Sequence, residues 1–289
     1  MALRRPMPPE RATDDAGGLR YAQPIPRWFY VHDDLTDEVQ RRAGPDSAAA
    51  RLAQELLGLL RADQGRVTVL TLDDQLERVA RQGPFAPFDV ALGIGCAGER
   101  VAEQLHARTA WFPRVRRVGV TREEDGRGGY ALVSTVAESI AEQLAGLDRF
   151  TSLAVVDDTV FSGLTIRSVL GLVPTALLRH ARVFCLRGVG ETLGALASLC
   201  PITAGVAAPG RRLEEVSFIN ATGLVLRVSI RRQGKSSLAF FDRPEWLRSW
   251  FPGYDGQVLD LCRRLNALLD PPGEATTSID PASAAVRGE

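Results

Sequence analysis

Two hydrophobic periods divide this chain. Residues 46–61 carry Ala49, Leu52, Leu56, Leu57 and Leu60 at helical spacing, and residues 257–269 repeat the pattern with Val258, Leu261, Leu265 and Leu268. Both stretches read as amphipathic helices. Between them lie short apolar runs rich in β-branched residues at 66–72, 88–94, 115–121, 153–156, 181–186 and 202–208. Helical patterns separate these runs at 73–81, 99–106, 133–147, from 164 through Val169 and Leu172, and at 192–199. Strands alternating with helices over 66–207 predict an α/β fold with a doubly wound, mainly parallel sheet. In such sheets ligands bind at the carboxyl ends of the strands, which would gather the loops at 95–98, 122–130 and 157–165.

The flanks break this rhythm. Residues 27–31 (RWFYV) read as a short strand, and 218–230 with 236–241 as an antiparallel pair joined through 231–235. Aromatic residues crowd 240–254. The expected organisation is a tail over 1–20, an N-terminal segment 21–65, a core at 66–207, a C-terminal aromatic unit at 208–270 and a second tail over 271–289. Both tails have the composition of disordered segments. The segments 21–65 and 208–270 together would make a small α+β subdomain.

Composition narrows the function classes. The formal net charge is zero across 289 residues, so no global basic field favours nucleic acid or an anionic membrane. No apolar run approaches the ~20 residues that span a bilayer. The arginines near the start are followed by no apolar stretch, so the first residues do not read as a secretory signal, and a cytoplasmic location is expected. Cys96, Cys185, Cys200 and Cys262 are scattered and read as reduced thiols. His32, His106 and His180 show no metal-ligand spacing.

Chemistry concentrates at Leu153 to Ser168, LAVVDDTVFSGLTIRS. An apolar strand ends in Asp157 and Asp158, and a small-residue turn leads into a helix. Backbone N–H groups and the helix dipole favour an anion there, Ser162 and Thr165 add hydroxyls, and Gly163 admits close backbone approach. Carboxylates beside an anion cradle repel it unless they hold a metal or accept hydrogen bonds from sugar hydroxyls. A sugar phosphate satisfies both halves of the stretch. An acidic pair after a strand also occurs in Mg²⁺-binding receiver domains, a reading that leaves the Ser162-Gly163-x-Thr165 turn unexplained.

The stretch VVDDTVFSGLT resembles the phosphoribosyl pyrophosphate (PRPP) motif of type I phosphoribosyltransferases: an apolar strand, two acids, three variable residues, then Ser/Thr-Gly-x-Thr. The resemblance spans residues 88–190. It implies transfer of a 5-phosphoribosyl group from PRPP to a small-molecule acceptor, with release of pyrophosphate and with Mg²⁺ as cofactor. Asp157 and Asp158 would hold the ribose hydroxyls, directly or through Mg²⁺-bound water. Thr159, Phe161, Ser162, Gly163, Leu164 and Thr165 would form the 5-phosphate loop. Gly95, Cys96, Ala97 and Gly98 resemble the pyrophosphate loop, in which the family often carries a strained non-proline cis peptide. Residues 119–133 resemble the mobile catalytic loop of orotate-type members, with Arg122 and Arg127 reaching the pyrophosphate on closure.

Two departures stand out. Glu123 follows Arg122 where orotate-type enzymes have a lysine, and Phe161 occupies a position where purine-salvage members have an acid. Arg167 matches an arginine just inside the helix of orotate-type members. The acceptor would sit under a hood made of 21–45 and 211–256, with Trp246, Trp250, Phe251 and Tyr254 as its lining. Family members are often homodimers. A non-catalytic PRPP-sensing protein is the alternative reading. Arg211, Arg212, Arg231, Arg232 and Lys235 would supply the basic face of a nucleic-acid-binding regulator, which the zero net charge does not favour.

Overall fold

The computed structural model describes residues 25–124, 130–212, 214–232 and 235–270, and also a two-residue antiparallel pair, β1 (Ala12–Thr13) with β2 (Leu19–Arg20). The expected tails over 1–20 and 271–289 otherwise lie outside the described residues, as does Arg127. The N-terminal segment contains β3 (Trp28–His32), α1 (Leu35–Ala43), α2 (Ala48–Ala62), β4 (Val67–Leu70) and α3 (Leu72–Ala80). The core follows with β5 (Val90–Ile94), α4 (Gly95–Thr109), β6 (Val115–Val118), β7 (Val120–Glu124), β8 (Tyr130–Ser134), α5 (Ile140–Gln143), β9 (Leu153–Val160), α6 (Leu164–Leu172), α7 (Thr175–Leu178), β10 (Ala181–Val189), α8 (Gly190–Ala197) and β11 (Ile202–Ala208). The C-terminal segment adds β12 (Val216–Asn220), α9 (Ala221–Val225), β13 (Ile230–Arg232), β14 (Lys235–Leu238), α10 (Pro244–Trp250) and α11 (Asp255–Leu269).

The parallel α/β expectation holds. A five-stranded sheet has the order β11-β10-β9-β5-β6, and its neighbours pair in parallel. All of β5 is buried, as a strand covered on both faces must be. Alternation along β9 sends Leu153 and Val155 to a layer with Ile166 and Val169 of α6 and Leu193 and Leu196 of α8. Ala154 and Val156 face α3 and α4 through Leu76, Val79, Val101 and Leu105, with Trp111 and Phe184 filling the far end. From β5 the chain passes to β6 at one edge. From β9 it passes through β10 to β11 at the other. The β5–β9 boundary is therefore the topological switch point, where the strand ends leave a crevice.

The two flanks form a second unit. A three-stranded parallel sheet, β12-β3-β4, packs on α1, α2, α9, α10 and α11. Ser47 caps α2 by accepting from the Ala50 N–H at 3.0 Å, and Leu52, Leu56, Leu57 and Leu60 bury the apolar stripe read from the sequence. The expected core boundary at residue 66 needs correction. Val67–Leu70 pairs with Phe29–His32, and Val67 and Val69 pack in the flank core beside Phe29 and Val31.

Two further expectations differ. The helix expected over 133–147 is replaced by β8 and the short α5. Val133 pairs with Thr121 of β7, β-branched Val133, Thr135 and Val136 disfavour helix, and Ser139 with Glu142 forms a capping box that starts α5 at Ile140. The run 218–230 is not one strand. The Asp34 carboxylate accepts from the Thr222 N–H at 2.8 Å and from its hydroxyl at 2.6 Å, which anchors the first turn of α9 in mid-run. The 231–235 connection does join an antiparallel pair, β13 with β14, which extends the β7–β8 hairpin into a four-stranded sheet.

Candidate functional site

The site is built at the switch point. β5 ends because Gly95 takes φ +58° and opens α4. The turn lies flat on the neighbouring strand: a Cβ on Gly98 would stand 2.4 Å from the Val156 carbonyl oxygen, and one on Gly93 would stand 2.5 Å from the Glu99 nitrogen. Only glycine permits this contact at either position. Gly95, Cys96, Ala97 and Gly98 thus form the first turn of a 15-residue helix beside the acidic pair. Cys96 is exposed, and its sulfur accepts from Arg117 at 3.4 Å. The sole cis peptide among the described residues is Gly83–Pro84, so the expected non-proline cis bond is not in this loop.

β9 is longer than its apolar run. It pairs with β5 only over Leu153–Val156 but follows β10 as far as Val160. Asp157, Asp158 and Thr159 therefore lie in the strand, with one edge released where β5 turns away. The turn shrinks to residues 161–163, and Thr165 belongs to α6. Gly163 caps that helix with φ +70°, and a Cβ there would press Thr192 Cγ2 at 2.9 Å. The Thr192 hydroxyl donates to the Phe161 carbonyl at 2.9 Å, and Ser162 Oγ accepts from the Leu164 N–H at 3.3 Å.

The two carboxylates are electrostatically unequal. Asp157 is 8% exposed. Burial, and then the neighbouring Asp158 charge, push its carboxyl well above the usual range, while Arg122 pulls it back in part. Burial opposes ionisation of Asp158 as well. The Arg187 guanidinium, the Thr159 hydroxyl and other neighbours outweigh it and hold that carboxyl below the usual range. No group of three or more His, Cys, Asp or Glu with metal-holding geometry occurs among the described residues. Two hard oxygen donors, one of them short of positive charge, fit a Mg²⁺ ion that takes its remaining ligands from water and a bound phosphate, as Mg²⁺ commonly does.

Beside the turn is a cleft of about 340 Å³ lined by Arg122, Tyr130, Ser162, Leu164, Arg167 and Arg212. Three guanidiniums and two hydroxyls give it the lining that suits an anion. Arg122 and Glu123 occupy successive positions of β7, and strand alternation turns Arg122 to the cleft and Glu123 away. Arg212 was legible only as part of a basic patch. Its place here follows from the Arg212–Val216 bridge that leads into β12.

The flank sheet covers this end of the core. Phe29, Val31 and Ile219 face its own helices, so alternation sends Trp28, Tyr30, His32, Val216, Phe218 and Asn220 to the opposite face. Trp28, Tyr30, Phe218 and the turn residue Phe161 are half-buried against Val189, Ala208 and Val216, and the Tyr30 and Phe218 rings stack at 5.0 Å. Beyond them lies a buried polar cluster that sequence reading missed. Arg187 donates to Asp158 Oδ2 at 3.1 Å, Gln75 Oε1 at 3.1 Å and Asn220 Oδ1 at 2.6 Å. Gln75 Nε2 donates to the Thr71 carbonyl at 2.8 Å and lies 2.9 Å from His32 Nδ1. With both amide hydrogens used, Nδ1 is the acceptor. The one signal in the sequence is Arg187, a charge set in β10 directly after the apolar run Val183–Leu186.

The expected acceptor lining is corrected. Trp246, Trp250 and Phe251 are 8%, 5% and 0% exposed and pack with Phe29 and Phe240 in the flank core. Tyr254 joins the same cluster, with its hydroxyl on Asp63 at 2.9 Å. Their apolar area is spent on folding this unit.

No family model and no curated protein matches the chain. Among solved structures, the purine phosphoribosyltransferase from Pyrococcus horikoshii Ot3 is similar at 18% identity, covering 51% of this chain and 87% of that one, with a TM-score of 0.37. The Helicobacter pylori xanthine-guanine-hypoxanthine phosphoribosyltransferase is 16% identical over 51% of this chain and 84% of its own, with a TM-score of 0.30. A hypothetical protein from Neisseria gonorrhoeae with bound ppGpp is 16% identical over 52% of this chain and 85% of its own, with a TM-score of 0.37.

No helix among the described residues is long and apolar enough to cross a membrane.

Proposed function

We propose that this chain binds PRPP at the β5–β9 switch point and transfers its 5-phosphoribosyl group to a small-molecule acceptor, releasing pyrophosphate. The observation that carries the reading is the Asp157–Asp158 pair, the first buried and the second half-buried, on a released strand edge directly before a turn whose Ser162 lines a three-arginine cleft. Carboxylates suit sugar hydroxyls, and the cleft suits phosphate. A sugar phosphate uses both.

In this reading Asp157 and Asp158 accept hydrogen bonds from the ribose 2- and 3-hydroxyls. Backbone N–H groups of residues 162–165 and the Ser162 hydroxyl hold the 5-phosphate, with Arg167 and Arg212 adding charge. The first turn of α4, Gly95 to Gly98, and Arg122 hold the pyrophosphate. A Mg²⁺ ion on Asp157 and Asp158, directly or through water, would neutralise charge on the departing diphosphate. The C1–oxygen bond to pyrophosphate breaks with its electron pair leaving on oxygen, and the acceptor's lone pair forms the new C1 bond. The half-buried Trp28, Tyr30 and Phe218 offer the acceptor an apolar wall.

Phe161 supplies no base, and it packs against Val189, Ala208 and Val216. The acceptor is therefore deprotonated elsewhere or reacts unaided as a neutral nucleophile. The same observation supports the second reading, a PRPP-sensing protein without turnover. Incubation with PRPP and Mg²⁺ across a panel of nucleobases and amines, followed by a pyrophosphate assay, separates them. Release that needs one acceptor and fails in Arg122→Ala supports the enzyme. PRPP binding without release across the panel supports the sensor.

A further inference from the structure

We infer that Arg187 is a positioning residue for Asp158, held in that task by Gln75 and Asn220. The inference rests on reading Asp158 as a ribose-holding carboxylate. Every residue of β10 from Val183 to Val189 is buried, and Arg187 is 0% exposed. A guanidinium in such a strand is expensive to desolvate, and an ion pair of this kind is often no more stable than an apolar pair of the same volume. Stability alone gives little reason for it. Its Nε has no partner among the described residues, so the group is not even fully satisfied.

What the arrangement does provide is direction. Arg187 is gripped from two other elements, through Nη1 by Gln75 on α3 and through Nη2 by Asn220 on β12, and the same Nη2 donates to Asp158 on β9. A planar fork can hold such angles at once, and an ammonium cannot. The Thr159 hydroxyl donates to the same oxygen, Oδ2, at 3.0 Å, so both restraints act on one side of the carboxylate and neither uses Oδ1. The Asp158 side chain keeps 22% of its surface open, against 1% for Arg187. One carboxylate oxygen is thus clamped from behind, and neither clamp takes the other. Asn220 belongs to the flank sheet, and Gln75 reaches His32 of that sheet. The clamp therefore ties the orientation of a ribose-holding group in the core to the unit that covers it.

The test is calorimetric titration of Arg187→Lys, Arg187→Met and Asn220→Leu. Each is titrated with PRPP plus Mg²⁺, and separately with inorganic pyrophosphate without metal, which reads the arginine cleft. Thermal unfolding and circular dichroism select the folded variants. The expected result is a loss of PRPP affinity of roughly 10- to 100-fold in Arg187→Lys and Arg187→Met, the range for outer-layer partners of ligand-holding groups. Asn220→Leu, which leaves the ion pair, should lose affinity in the same direction but less, and pyrophosphate affinity should not change. A purely structural link would lower the melting temperature and leave PRPP affinity alone. A folded Arg187→Lys, or a folded Asn220→Leu, with wild-type PRPP affinity overturns the positioning role. Wild-type protein that fails to bind PRPP instead overturns the reading beneath it.

Discussion

His32 should make this protein acid-labile in a way that one substitution removes. The ring is 7% exposed. Burial, and then the Arg187 charge, lower its pKa to about 3, while Asp158 and the Leu70 carbonyl oppose the shift. A folded pKa below the unfolded value means that the stability is fully present above about pH 6.5 and is lost as pH falls. At pH 5 nearly every unfolded chain carries a proton on this ring and nearly no folded chain does. Integrating from pH 7 to pH 5 gives a loss of about 2 kcal/mol from this group alone. For a chain of this size that is roughly 4–8 °C in melting temperature. His32→Asn keeps an acceptor for Gln75 Nε2 and does not titrate. Carboxylates distant from this ring contribute equally to both proteins and cancel in the difference. Urea unfolding at pH 7, 6 and 5 should show wild type losing about 2 kcal/mol more than His32→Asn over that span. Parallel profiles would refute a neutral His32 in the folded state.

Three other perturbations bear on the fold and the site. Gly98→Ala would put a Cβ 2.4 Å from the Val156 carbonyl oxygen. It should cost about 1–3 kcal/mol by urea unfolding, and a change within ~0.5 kcal/mol would contradict the close approach of α4 to β9. Trp250→Ala empties a cluster in which the ring centroids of Phe240 and Phe29 lie 5.2 and 5.3 Å away. It should cost about 3–5 kcal/mol and leave PRPP affinity intact, whereas a stable variant with altered ligand binding would restore these aromatics to the acceptor site. Arg212→Ala should weaken PRPP binding about tenfold and flatten its salt dependence, and an unchanged titration would remove Arg212 from the 5-phosphate subsite.

Much of the core was legible because its patterns are local. The run ITAGVAA is β11 from end to end, and the leucine stripe of 46–61 is α2 within two residues at its start. The acidic pair, the Gly163 turn and the 95–98 turn also meet where strand order alone would put them. The misreadings came from distant contacts. β4 looks like any core strand until Phe29–His32 pairs with it, and 218–230 looks continuous until Asp34, 188 positions from Thr222, takes its N–H. The β9 extension through Asp157 to Val160 follows from β10 running on to Val189 alongside it, which the apolar run alone does not signal. Aromatic density misled because Trp246 and Trp250 are core, while the face toward the site carries the sparser Trp28, Tyr30 and Phe218. The Arg187 cluster draws its members from five elements, so only one buried charge betrayed it.

The most direct test of the ribosyl-phosphate site is calorimetric titration with PRPP, with and without Mg²⁺, of wild type and of the Asp157→Asn/Asp158→Asn double variant. Magnesium-dependent binding by wild type that disappears in the folded double variant is the expected outcome. No binding by folded wild type, or equal binding by the double variant, would contradict the assignment of this acidic pair and its turn to PRPP.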